Sequence, residues 1–447
     1  VSRAGTRAAD PVRPTAGKDP DSTSTGPSVD TLGVPARGLW HERNFRLLWI
    51  GQAASSVGSN VTVVALPLVA VAVLDATPFA VTVLTAAAWL PWLLVGLPAG
   101  AWVDRLPRRP VMIACDLLSA ALFLSVPVTA VLGVLTIGQL LAVALGAGLA
   151  KVFFETADQA YLPVVLRPEQ VPGGNARLQA TRTASYLLGP GIAGLVAQAV
   201  GAVAALLLDV VSFLLSALCL SRIRVDERRP SRTRARRRLR REIAEGVRVV
   251  AHDPYLRVLT VFGAASNFGL TGYQALMVVF LVRDVHLAPG LVGLLLAAMS
   301  AGGIVGALLA TAVGRWCGTA RALLVAAAFT GPPALLIPLA APGWRLGCLA
   351  LGGALVSFGV AVGNVVKGSF RQTYTPQHLL GRVTVSMQLL NYGTIPVAAL
   401  AGGVLAGILG AGPAIAVMTG WLALTPLILL VGPLRHRRDL PVAQLAV

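Results

Sequence analysis

From Phe45 onward the chain is built of apolar runs of about twenty residues that recur almost without a break, and this feature decides most of what it can fold into. At a rise of about 1.5 Å per residue, each run is long enough to cross a hydrocarbon layer roughly 30 Å thick. Inside that layer the backbone N–H and C=O groups find no water, so segments of this length fold as helices that satisfy their own hydrogen bonds. Twelve such runs are legible, at 45–74, 79–103, 110–132, 136–157, 176–199, 201–221, 255–282, 290–314, 320–341, 343–367, 382–408 and 411–433. Pro67, Pro91, Pro98, Pro127, Pro190 and Pro396 punctuate them, which membrane helices tolerate when neighbours satisfy the freed backbone groups. The expectation is an all-α membrane protein of twelve transmembrane helices.

Only 13% of the residues are charged and 55% are hydrophobic, where a soluble domain carries roughly a quarter charged residues. Soluble-enzyme classes are excluded on that ground. Cys115, Cys219, Cys317 and Cys348 stand singly in apolar surroundings, with neither metal-ligand spacing nor a disulfide framework, and read as packing residues. No G-x-x-x-x-G-K-[ST] phosphate loop, H-E-x-x-H or nucleophile elbow occurs. The sequence therefore predicts no catalytic residue, no metal and no cofactor, and any work done by the chain draws on an ion gradient.

The net charge is +18, with Lys18, Lys151 and Lys367 as the only lysines among 37 basic residues. Arg105, Arg108 and Arg109 follow the second run, Arg167 the fourth, Arg315 and Arg321 the eighth, and Arg435, Arg437 and Arg438 the twelfth. Arg371 and Arg382 fall between the tenth and eleventh, and a dense arginine stretch separates the sixth from the seventh. The alternate connections hold little positive charge beyond Arg283 and Arg345, so the positive-inside rule predicts cytoplasmic termini. The stretch Arg222 to Arg241 then reads as a loop against anionic lipid headgroups, not as a nucleic-acid patch. The Pro-, Ser-, Thr- and Gly-rich residues 1–40 lack an apolar period and are expected to form a disordered cytoplasmic tail. They also lack the apolar core and cleavage site of a secretory signal, so the spans themselves are expected to hold the chain in the membrane.

An internal repeat divides the chain. DQAYLP (Asp158 to Pro163) at the end of the fourth run returns as RQTYTP (Arg371 to Pro376), 213 residues later. Gly96, Gly100 and Arg105 match Gly306, Ala310 and Arg315 at an offset of 210. The predicted organisation is the tail, a six-helix bundle at 41–221, a basic cytoplasmic loop at 222–254, a second six-helix bundle at 255–434 and a cytoplasmic tail at 435–447. Parallel duplication of this kind places a substrate site near the midplane between the halves.

The loop after the second run reads GAWVDRLPRR, with Gly100, Asp104, Arg105, Arg108 and Arg109 at the spacing G-x-x-x-D-R-x-x-R-R. A carboxylate and several guanidiniums at the mouth of two helices can fasten neighbouring acids and helix termini, although ordinary positive-inside charge would also place arginines there. The pattern resembles the loop motif of the major facilitator superfamily, with Pro107 in place of the usual Gly and a worn second copy that has Gly314 in place of the Asp. The resemblance implies a conformational latch at Asp104, Arg105 and Arg108. In the fifth run SYLLGPGIAG is similar to the antiporter motif G-x-x-x-G-P-x-x-G-G of drug and proton exchangers in that superfamily, carried by Ser185, Gly189, Pro190, Ala193 and Gly194, with Ser185 and Ala193 at two of the Gly positions. Physically this is a kinked face of small residues suited to close helix approach. The stretch Phe153 to Gly194, and NFRLLWIGQAASSVGSN in the first run, resemble the branch that holds bacterial enterobactin exporters and macrolide and drug efflux pumps.

Polar groups inside the membrane are expensive and usually face the protein interior. Gln52, Ser56 and Asn60 recur every four residues and make one stripe, open either to a central path or to hydrogen bonding between helices. Asn267, Tyr273, Gln274, Asn364, Gln388, Asn391 and Tyr392 are the corresponding candidates in the second half, and the resemblance favours Asn267, Gln274 and Asn364 for substrate contact. Trp89, Trp92, Phe153 and Phe154 offer rings for an apolar cargo, for lipid or for packing.

Proton exchange needs a carboxylate that gains and loses a proton as its surroundings change. Asp116, Asp209 and Glu155 are the candidates, with the reservation that the family's third and sixth helices lie outside its cavity, where either aspartate could simply pair with an arginine such as Arg182.

The sequence thus reads as a monomeric, multi-pass transporter of a bacterial inner membrane. Its partners are a small-molecule substrate, protons and membrane lipid, without nucleic acid. It exports an amphipathic drug, antibiotic or siderophore-like metabolite by alternating access in exchange for protons. An importer or symporter of a small polar solute, or a membrane sensor, is the alternative.

Overall fold

The computed structural model describes residues 39–103, 105–225, 239–435 and 437–441. The tail at 1–38, Asp104 of the loop motif, residues 226–238 of the basic stretch and the last six residues lie outside them. Twelve candidate membrane spans are present, and the described residues contain no strand.

The first half is α1 (Arg43–Ala72), α2 (Pro78–Val103), α3 (Arg108–Val131), α4 (Ile137–Val165), α5 (Val171–Val200) and α6 (Ala202–Arg222). A connecting helix, α7 (Leu239–His252), replaces the C-terminal part of what the sequence presents as a loop. It packs on the second half, where Arg382 pairs with its Glu245 at 2.9 Å and Gly246 faces the Arg382 carbonyl. The second half is α8 (Pro254–Val279), α9 (Pro289–Cys317), α10 (Thr319–Thr330), α11 (Arg345–Tyr374), α12 (Gln377–Leu409), α13 (Ala411–Leu424) and α14 (Pro426–Val431).

Several spans depart from the runs expected above. α4 continues to Val165 and α11 to Tyr374, past Asp158 and Arg371, which are turned into the protein and do not end the helices. The ninth span is broken: α10 stops at Thr330, Gly331 intervenes, and Pro332–Leu339 continues as a 3-10 helix, since consecutive prolines lack the donors an α-helix needs. The twelfth breaks at Thr425 and Pro426, between α13 and α14.

The halves repeat one another in packing. α1 lies against α5 and α6 as α8 lies against α12 and α13, and α2 against α4 as α9 against α11. Two connections repeat as well: α5–α6 and α12–α13 each turn on one residue, Gly201 at φ +95° and Gly410 at φ +92°, a conformation that favours glycine. Across the halves, α5 meets α9 and α2 meets α12.

The halves are joined at one end. There Val278 and Val279 of α8 enter the core of the first half, Ala86, Ala275 and Ala399 cluster, and the exposed Asp75 pairs with Arg283. At the opposite end the core around Phe45 and Tyr161 and the core around Leu256 and Phe370 each draw on one half alone. That second end carries the basic α2–α3 and α4–α5 connections.

Candidate functional site

A cavity of about 450 Å³ lies within the first half. The polar stripe of α1 faces it, with Gln52, Ser56 and Asn60 all on its wall. Asn60 is steadied from within, donating to the Ser56 carbonyl at 2.8 Å. Trp89, Trp92 and Phe154 provide the apolar side, whereas Phe153 stacks on Trp102 with centroids 5.9 Å apart.

The three candidate carboxylates share this cavity. α3 and α6 bring Asp116 and Asp209 to its wall although both are almost fully buried, and Glu155 of α4 joins them, 3.8 Å from Lys151 one turn back. Asp209 is held on both oxygens: Thr62 donates to Oδ2 at 2.5 Å and Ser212 to Oδ1 at 3.0 Å, and Gly58 of α1 leaves room for this group. Asp116 is held less: its Oδ2 is buried without a hydrogen-bond partner. Arg182, offered by the sequence as a partner for either aspartate, pairs with neither. Arg182 of α5 donates to Asp158 at 2.6 Å, and Gln52 donates to the other oxygen of the same carboxylate. Asp158 thereby ties α1, α4 and α5 together beside the cavity.

A second cavity of about 340 Å³ lies within the other half. Asn267 of α8, Asn364 of α11 and Gln388, Asn391 and Tyr392 of α12 line it. Asn267 donates to the Asn391 side chain at 3.4 Å, and Asn391 to the Met387 carbonyl at 2.7 Å. Tyr273 and Gln274 line neither cavity. Tyr273 is packed in the core with Leu276 and Phe280, and the exposed Gln274 lies beside it on α8.

Arg371, counted from sequence as connection charge, stands inside α11 and lines the second cavity with Lys367. The signal was in the repeat, since RQTYTP sets Arg371 against Asp158.

The cavities meet through aromatic rings. Tyr392 reaches Trp89 and Trp92 across the halves at centroid distances of 5.8 and 5.9 Å, and the Lys151 ammonium lies 5.9 Å from the Trp89 ring.

The two motifs have distinct geometries. Arg109 donates from Nε to the Leu220 carbonyl at 2.7 Å and from a terminal nitrogen to that of Ser221, at the end of α6 where the helix dipole favours a cation. Arg105 is exposed, Arg108 is half-buried, and Gly100 has open space around it. In α5, Ser185 and Ala193 are buried, Gly189 packs on the backbone of Asn60, and Pro190 and Gly194 face Gly293 of α9. A Cβ on Gly194 would lie 2.7 Å from the Gly293 Cα, so the crossing of α5 and α9 depends on both glycines.

Two six-helix halves, each enclosing a cavity, make up the membrane-spanning body of the chain. The chain belongs to the Major Facilitator Superfamily, whose family model matches residues 48–394. It is 28% identical over 375 residues to the multidrug efflux pump Tap of Mycolicibacterium fortuitum, a match that covers 81% of this chain and 89% of that one. It is 24% identical over 227 residues to macrolide efflux protein A of Streptococcus pyogenes, covering 50% and 55% of the two chains. Among solved structures, the nucleoside transporter NupG superposes with a TM-score of 0.69 at 12% identity, covering 88% of this chain and 99% of that one. A bacterial homologue of the iron transporter ferroportin in an inward-facing state gives 0.65 at 16% identity, covering 88% and 99%. The chain is accordingly a transporter and not an enzyme, a multi-pass protein of the bacterial inner membrane.

Proposed function

We propose that the protein exports a small amphipathic molecule, a drug, antibiotic or siderophore-like metabolite, by alternating access in exchange for protons. The observation that carries this reading is the first cavity, where an aromatic wall of Trp89, Trp92 and Phe154 and the carboxylates Asp116, Asp209 and Glu155 share one space. An apolar cargo binds against the rings, and a proton on the same wall competes with or releases it. The names of the relatives, a multidrug efflux pump and a macrolide efflux protein, support the outward direction. The basic connections support a cytoplasmic position for the end at which each half keeps its own core, and for both termini. With the halves joined at the far end, cargo then enters from the cytoplasm. The protein acts as a monomer, each copy having both cavities, and its basic connector lies against lipid headgroups.

The test is accumulation of ethidium in efflux-deficient cells that express the protein, with and without a protonophore. Lower accumulation that the protonophore abolishes is the expected result. Accumulation that is unchanged, or that rises with the proton gradient intact, overturns the reading.

A further inference from the structure

The cavity of the second half differs in sign from its counterpart. Lys367 and Arg371, one helical turn apart on α11, both face it, and no carboxylate among the described residues lines it. Among the described residues neither side chain makes a hydrogen bond or an ion pair, and the contact shown by the Lys367 ammonium is with the Phe262 ring, 5.7 Å to its centroid. The rest of the polar wall consists of amide side chains able to donate, on Asn267, Asn364, Gln388 and Asn391, with Leu259 and Leu270 as apolar flanks.

The duplicated half shows that bare cations are not a demand of the scaffold. At the position of Arg371 the first half has Asp158, which is buried and satisfied by Arg182 and Gln52. A charge within a membrane span is retained against a considerable desolvation penalty, and a ligand's counter-charge would offset it where the same half supplies none. An ammonium and a guanidinium fork side by side match the charge and the planar geometry of a carboxylate.

We propose that the cavity of the second half is a docking site for a carboxylate on the transported molecule, held by Lys367 and Arg371. The inference rests on the export reading for its cargo and names that cargo's class: an amphipathic organic acid or zwitterion. Its carboxylate sits in the second half while its apolar body lies along Tyr392, Trp89 and Trp92.

The test uses the full chain in nanodiscs of neutral lipid and two probes, a xanthene dye with a free ring carboxylate and the methyl ester of the same dye. Fluorescence anisotropy reads both affinities. The wild type is expected to prefer the acid. Lys367→Gln and Arg371→Gln should each weaken binding of the acid about tenfold or more and leave the ester within about twofold, the effect of losing one charge-assisted hydrogen bond. Lys367→Arg should retain most of the preference. Equal affinity for acid and ester in the wild type, binding of neither, or equal loss of both dyes in the variants overturns the proposal. In the last case the cations serve the conformational cycle, for example by meeting Glu155 of the first half in another state. Transport of the same dyes in everted vesicles reads the export proposal separately. Proton-driven uptake of both dyes without discrimination removes the carboxylate site and leaves export standing. Selective binding without that uptake does the reverse.

Discussion

Trp92 of α2 and Tyr392 of α12 meet edge to face across the two halves, with ring centroids 5.9 Å apart and planes inclined by 69°. Each ring also lines the cavity of its own half, so the contact is the shared wall of both. Aromatic pairs of this geometry contribute about 0.5–1.5 kcal/mol beyond the area they bury. Tyr392→Ala should weaken dye binding by about three- to tenfold, in line with that range, while Tyr392→Phe stays near wild type. Equilibrium binding in nanodiscs decides between them, and a large effect of the Phe variant would assign the role to the hydroxyl in place of the ring.

The proton-coupling proposal separates Asp116 from Asp209 by their surroundings. Asp209 is fastened by Thr62 and Ser212, whereas Asp116 has Ser216 as its hydroxyl neighbour and keeps one oxygen without a partner, so Asp116 is the less firmly held of the two. Asp116→Asn is predicted to abolish gradient-driven dye movement in proteoliposomes and to preserve counterflow exchange of labelled for unlabelled dye. Loss of both activities would mark the residue as structural.

Asp158 supplies a stability prediction. Arg182→Gln leaves a buried carboxylate with Gln52 as its remaining partner. Truncating one side of a buried pair costs several kcal/mol, but the Arg182 side chain is 46% exposed, so solvent screening brings the expected loss to about 1–2 kcal/mol. The double variant Arg182→Gln with Asp158→Asn should recover most of it. Thermal unfolding of the four proteins of this cycle measures the coupling directly.

The crossing at Gly194 and Gly293 predicts a different failure. Gly194→Val places side-chain atoms where the α9 backbone lies, forcing α5 and α9 apart at the joined end. The variant should reach the membrane at normal levels yet lose transport, with cysteines introduced at positions 75 and 283 no longer cross-linking. By contrast Asp75→Asn removes an exposed pair worth about 0–1 kcal/mol and should alter transport less than twofold.

Span number, the duplication and the close-packed face of α5 are all legible in the sequence, because hydropathy, repeat register and small residues are local properties. What sequence misplaces is polarity at helix ends. Arg371 and Asp158 look like residues that end a span, since a linear reading charges every ionised group with meeting lipid. In the fold those side chains turn into the protein, and the helices run on past them. Tyr273 and Asn267 show the same limit on one helix. Both are polar residues of α8, but the six-residue step between them rotates Tyr273 far around the helix, into the core. The partner choice of Arg182 is likewise a matter of three-dimensional approach, which depends on how α4 and α5 cross.

The two interrupted spans of the second half are neighbours: Gly331, where α10 ends, lies against Leu422 and Pro426, where α13 gives way to α14. At that level two adjacent helices lack the regular ladder of hydrogen bonds that resists bending elsewhere, and Thr330 beside the break borders the second cavity. Alternating access is usually pictured as two stiff shells rocking about a fixed centre. Here one shell carries an elbow of its own beside its cavity, a second place besides the seam between the halves where its backbone is not a continuous helix.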